Sequence, residues 1–99
     1  MTYQLKQSVC DEAARLFQGD DLVYVLNQLA TTKLIWERNA LPPRVHVAVL
    51  WQSKGDLQEF KNAIDQARSD WRNTLAWNGL GNEDWRQVLA DAGFDCSEW

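Results

Sequence analysis

Between Asp56 and Gly79 the chain carries a single apolar stripe at helical spacing: Leu57, Phe60, Ile64, Ala67, Trp71 and Leu75. Glu59, Lys61, Asp65, Ser69, Arg72 and Asn73 fall on the opposite face, and Asp65 with Arg68, three apart, forms a solvent-side pair. Asp56 is placed as an N-cap and Asn78-Gly79 as a stop, so the spacing predicts one long amphipathic helix. Such a rod is stable only when its stripe is buried on other elements. The remainder of a 99-residue chain must supply them, which is enough for one core but not for two. Residues 1–99 are therefore read as a single domain.

The companions are also mostly helical in pattern. Leu5, Val9, Ala13, Leu16 and Phe17 predict a first helix from about Tyr3 to Gln18, with Gly19 as its left-handed stop and Cys10 beside Phe17 on the edge of the apolar face. Asp20 and Asp21 are then expected to cap the next helix and to favour its dipole. In that helix Leu22, Val25, Leu26, Leu29 and Trp36 share one stripe, widened by Val23, Ala30 and Leu34, with a break expected at Thr31-Thr32. Near the end, Asn82 with Glu83 and Asp84 predicts the start of a last short helix that buries Trp85, Val88, Leu89 and Ala92. Gly93-Phe94 fits a Schellman ending in which Phe94 folds back on Leu89. Residues 95–99 are read as a tail, and the chain as free of internal repeats and low-complexity stretches.

One segment leaves the fold class open. In "LPPRVHVAVLWQSKGD", residues 41–56, Val45, Val47 and Val49 alternate as in a strand. Wound as a helix, the same residues are apolar nearly all round, so periodicity does not decide. Punctuation favours a helix: Pro43 suits a first turn, and Lys54-Gly55 before Asp56 reads as a stop followed by an N-cap. The expectation is an all-α bundle of about five helices. The alternative is an α+β fold with one hairpin over residues 31–51, pairing "TTKLIWER" with the valine run.

Charge and cysteine content narrow the function classes. Ten Lys and Arg against fourteen Asp and Glu give a formal charge of −4 with no basic cluster, which disfavours nucleic acid, since non-specific affinity for it rests on clustered cations. No apolar run is long enough to cross a bilayer, and Lys6, Asp11, Glu12 and Arg15 interrupt the beginning of the chain, so a cytoplasmic location is expected. There Cys10 and Cys96 are expected as free thiols.

Six tryptophans are the most conspicuous surplus. Trp71 and Trp85 fall on apolar faces and are read as core anchors, with Trp71→Ala expected to cost roughly 3–5 kcal/mol. Trp77 lies about 100° off its stripe. Trp99 is the final residue, read either as folded back to plug a gap against the first helix or as displayed for a partner.

Catalytic and metal motifs are missing. The single imidazole, His46, sits in an apolar run and reads as a packed residue; a nucleophile would require Cys10, Cys96 or a serine to be brought to it. A zinc site from Cys10, His46 and Cys96 lacks the paired spacing such sites show, so no metal and no cofactor are expected. The acidic pairs at 11–12, 20–21 and 83–84 are accounted for by helix starts and a solvent face, and "NGLGNED" has no phosphate fingerprint. The leading functional expectation is a non-enzymatic protein–protein interaction module, with an unidentified protein or a second copy as partner and Tyr24, Ile35, Trp77 and Trp99 as contact candidates. One alternative is an acidic inhibitor or mimic that occupies a basic partner surface. The other is a small-molecule or metal-binding domain, with Trp77, Asp84, Trp85 and Trp99 caging a cationic ligand.

Overall fold

The computed structural model describes residues 5–33, 41–96 and 99. It is all-α, with five helices and no strand among the described residues: α1 (Gln7–Leu16), α2 (Gly19–Thr31), α3 (Pro43–Ser53), α4 (Leu57–Trp77) and α5 (Trp85–Asp91). The hairpin alternative fails because its second strand is α3. Pro43 opens α3 in its first turn, and Lys54, in the left-handed region at φ 53°, closes it. Every residue from Val45 to Leu50 is fully buried, because α3 lies against both α1 and α4. A helix covered on all sides carries no amphipathic period, which is why alternating valines imitate a strand there.

Around α3, α1 packs on α2 and α2 on α4. Val9, Ala13 and Phe17 face Val25 and Leu29 in one continuous core with Phe60, Ala63, Ile64 and Ala67. Asp56 caps α4 as its sequence predicts, its carboxylate accepting from the Glu59 amide at 3.0 Å.

Several boundaries move. α1 starts at Gln7, with Lys6 in extended backbone ahead of it, and Phe17, also extended, ends it. Gly19 is left-handed, at φ 58°, but it opens α2 rather than closing α1. Gln18 thereby takes the N-cap position, and Asp20 and Asp21 move inside the first turn, where they still meet the helix dipole but cap nothing. The break at the threonines is real: α2 ends at Thr31, whose hydroxyl donates to the Asn27 carbonyl at 2.8 Å. The Leu34 and Trp36 continuation of that stripe lies outside the described residues. Glu83 and Asp84 precede α5 instead of forming its first turn.

The largest correction concerns repeats. α4 contains one non-helical residue, Asp70, at φ −144° and ψ 60°, so a fresh seven-residue helix starts at Trp71. That second half has the same layout as α5. Residues 70–80 read DWRNTLAWNGL and residues 84–94 read DWRQVLADAGF, a shared pattern of D-W-R-x-x-L-A-x-x-G-[L/F] with six of eleven positions identical. The backbone repeats with it. In both copies the glycine is left-handed, Gly79 at φ 74° and Gly93 at φ 94°. The following amide donates six residues' span backwards at 2.9 Å, Leu80 to the Leu75 carbonyl and Phe94 to the Leu89 carbonyl. Gly79 to Ala76 and Gly93 to Ala90 complete two equivalent Schellman caps. The apolar stripe hides this duplication, because in the first copy Ala67, Trp71 and Leu75 continue the i, i+4 spacing straight across the kink.

Candidate functional site

The two DWR motifs put an arginine directly after a half-buried tryptophan, and in both copies its guanidinium returns over that indole. Arg72 lies 5.2 Å from the centre of the Trp71 ring and Arg86 lies 4.4 Å from that of Trp85. Arg44, in the first turn of α3, joins the copies. Its guanidinium sits 4.7 Å over Trp85, and it also lines a cavity of about 280 Å³ with Trp71, Arg72, Leu75 and Gly81. Among the described residues the side-chain ion pairs are Arg15 with Glu12 and Arg68 with Asp65, so Arg44, Arg72 and Arg86 pair with no Asp or Glu side chain there. Burial lowers the Arg44 pKa below the usual guanidinium value, and the neighbouring Arg86 charge adds to that. Arg86 also donates to the Trp99 carbonyl at 3.1 Å. Three cations and two indoles thus form one contiguous surface on a chain of net negative charge.

A second surface lies between α2 and α4. Tyr24, Lys33, Lys61, Asp65 and Arg68 are among the residues lining an open groove of about 810 Å³. The Lys61 ammonium stands 5.3 Å over the Tyr24 ring, which is edge-on to Phe60 at 6.4 Å.

The sequence-derived candidates are dispersed. Trp77 is 75% exposed, Val23 67% and Tyr24 36%. Ile35 lies outside the described residues. Trp99 is half-buried and edge-on to Phe94 at 6.2 Å, sharing a cavity with Lys6, Gln7, Ser8 and Asp11 at the start of α1. In the caging set, Asp84 is exposed, and the position a cationic ligand would take over Trp85 holds Arg44 and Arg86.

His46 and Cys96 are buried and do not open onto these surfaces. His46 is fully buried, and desolvation lowers its pKa to about 4, a shift that the Leu29 backbone partly opposes. Cys10 and Cys96 are free thiols; burial, and then the Asp11 charge, push the Cys10 pKa up, so it stays protonated at neutral pH. Cys96 is buried, its sulfur 3.6 Å from the Arg86 carbonyl. Among the described residues no three His, Cys, Asp or Glu side chains are grouped to hold a metal ion.

Arg44, Arg72 and Arg86 are the functional candidates that apolar periodicity does not find; the twice-written D-W-R is the signal that locates two of them. No protein-family model matches the chain, and neither a curated protein nor a solved structure shows significant similarity to it.

Proposed function

We propose that this chain is a non-enzymatic protein–protein interaction module, with a second copy or another protein as its partner. The observation that carries the reading is Trp77. A large indole, 75% exposed, projects from the last position of α4, immediately before a Schellman cap that fixes its backbone. The cap orders the backbone that carries the indole, so binding has only its side-chain rotamers to fix, and tryptophan is among the side chains enriched in residues that dominate interfaces. Tyr24 and Val23 add exposed apolar area on α2. The burial of His46 supports the non-enzymatic half of the reading, since the chain's one imidazole has no access to a substrate.

Capture of the native partner from its source cell, with Trp77→Ala as the parallel bait, tests the proposal. Trp77 is exposed, so the variant is expected to melt within about 0.5 kcal/mol of the parent stability. Binding to a partner, or self-association followed by sedimentation from micromolar to millimolar protein, should weaken by about 30-fold or more. Identical complexes and identical sedimentation for both baits would reject Trp77 as the contact. A complex that dissolves steeply with salt, with Trp77→Ala neutral, would favour the acidic-mimic reading instead.

A further inference from the structure

We propose that the tandem DWR motifs and Arg44 form a binding site for an acidic peptide segment, whose carboxylates pair with Arg44, Arg72 and Arg86 while an apolar side chain enters the cavity between Trp71 and Leu75.

Four observations lead there. First, the duplicated motif keeps arginine where the core does not need one. Leu75 and Leu89, with Leu80 and Phe94, are buried and account for the apolar positions, but Arg72 and Arg86 are both exposed. A duplicated exposed arginine, each time over its own indole, belongs to the surface and not to the packing.

Second, Arg44 comes from a different helix and touches both copies, stacking on Trp85 and lining the cavity with Trp71 and Arg72. The three cations therefore constitute one site. Third, the site is electrostatically unbalanced. Arg44 and Arg86 share one indole, and among the described residues neither pairs with an Asp or Glu side chain; the main-chain oxygen of Trp99 takes one Arg86 donor, and Arg44 keeps its charge beside that of Arg86. An incoming anion relieves that like-charge repulsion, and a guanidinium already held over a ring loses little freedom when it pairs. The depressed Arg44 pKa has the same origin, in burial and the Arg86 charge.

Fourth, the cavity selects among anions. Its walls combine Arg44 and Arg72 with Trp71 and Leu75, and at about 280 Å³ it has room for a side chain beside the charged groups. A peptide that alternates glutamate with leucine matches that mixture. A nucleic acid strand supplies phosphates for the arginines but no aliphatic side chain to set against Trp71 and Leu75. This site uses different residues from the Trp77 surface, and either assignment can fail alone.

The test is a titration of the full chain with a synthetic hexapeptide, Glu-Leu-Glu-Glu-Leu-Glu, following the indole N–H signals of all tryptophans by nuclear magnetic resonance. The Trp71 and Trp85 signals should move together and saturate, and added salt should weaken binding. The peptide with glutamine for glutamate should leave them in place. Arg44→Gln should raise the Kd roughly tenfold or more. Arg15→Gln removes the same charge from α1 and should change it less than threefold or so. If Arg44→Gln folds poorly, exposed Arg72→Gln carries the same expectation. The proposal is overturned if Trp71 and Trp85 do not respond at millimolar peptide, if the glutamine peptide binds equally, if Trp77 responds in their place, or if a single-stranded oligonucleotide displaces the peptide at lower concentration.

Discussion

Phe60 and Trp71 show how far a residue's place on a helical wheel differs from its share of the core. Phe60 is fully buried, edge-on to Phe17 at 5.9 Å and to Tyr24 at 6.4 Å. Trp71 packs at the rim of the core with one face under Arg72. Phe60→Ala should therefore cost about 3–5 kcal/mol. Trp71→Ala should cost nearer 2 kcal/mol, since only part of its area is removed from water. Urea denaturation of both variants checks the order, and a Trp71 variant less stable than the Phe60 variant would contradict it. His46 makes a second prediction. Its pKa is about 4 in the folded chain and 6.5 when unperturbed, so below pH 6.5 the unfolded chain takes up a proton that the folded chain refuses. The contribution of neutral, buried His46 is complete above about pH 6.5 and is lost as pH falls toward 4, reaching about 3 kcal/mol. Denaturant midpoints should fall over that window, and His46→Gln, whatever its own cost, should flatten the fall.

At the scale of elements, the Schellman caps test whether the two copies of the repeat are physically equivalent. A Cβ added at Gly79 or Gly93 meets nothing within 4 Å, so substitution there costs only the backbone term. Gly79→Ala and Gly93→Ala should each destabilise by about 1–2 kcal/mol. Matching losses in thermal melts would establish the equivalence, and a loss at one position alone would show that one cap is incidental. Punctuation of this kind was the most legible part of the sequence. Pro43, Lys54-Gly55, Asp56, Asn78-Gly79 and Gly93-Phe94 each mark a boundary close to where it occurs, because caps are decided by a few neighbouring atoms. The helix α3 was legible only through that punctuation, since burial on every side erases its period. Asp70 was not legible at all. Its kink leaves the i, i+4 stripe unbroken, and what betrays it is the second copy of the motif, in which Asp84 precedes a separate helix. The arginine cluster stayed hidden for a related reason: it is assembled by α3 meeting the repeat, and Arg44 lies far along the chain from Arg72 and further still from Trp85.

For the whole molecule, the decisive feature is how the last residues close onto the rest. Phe94 is edge-on to Trp51 of α3 at 6.0 Å and to Trp99 at 6.2 Å, and Cys96 is buried beneath the Arg86 carbonyl. Gly93, Asp95 and Trp99 share a cavity with residues at the start of α1, so the two ends of the described chain lie side by side. α3 contacts α1 and α4 at once, and Leu89, Phe94 and Cys96 belong to the same core cluster, so loss of the last residues exposes core shared with the rest. Deleting residues 95–99 should therefore lower the stability of the entire domain and leave one transition, not two. Cys96 and Trp99 together withdraw enough apolar area for roughly 2 kcal/mol. In a domain of this size that corresponds to a fall in Tm on the order of 10 °C. Calorimetry of the shortened chain checks both halves of the expectation. An unchanged Tm would mean that the end segment rests on the surface without contributing to it, and a new low-temperature transition would mean that α5 and its cap melt as a separate unit.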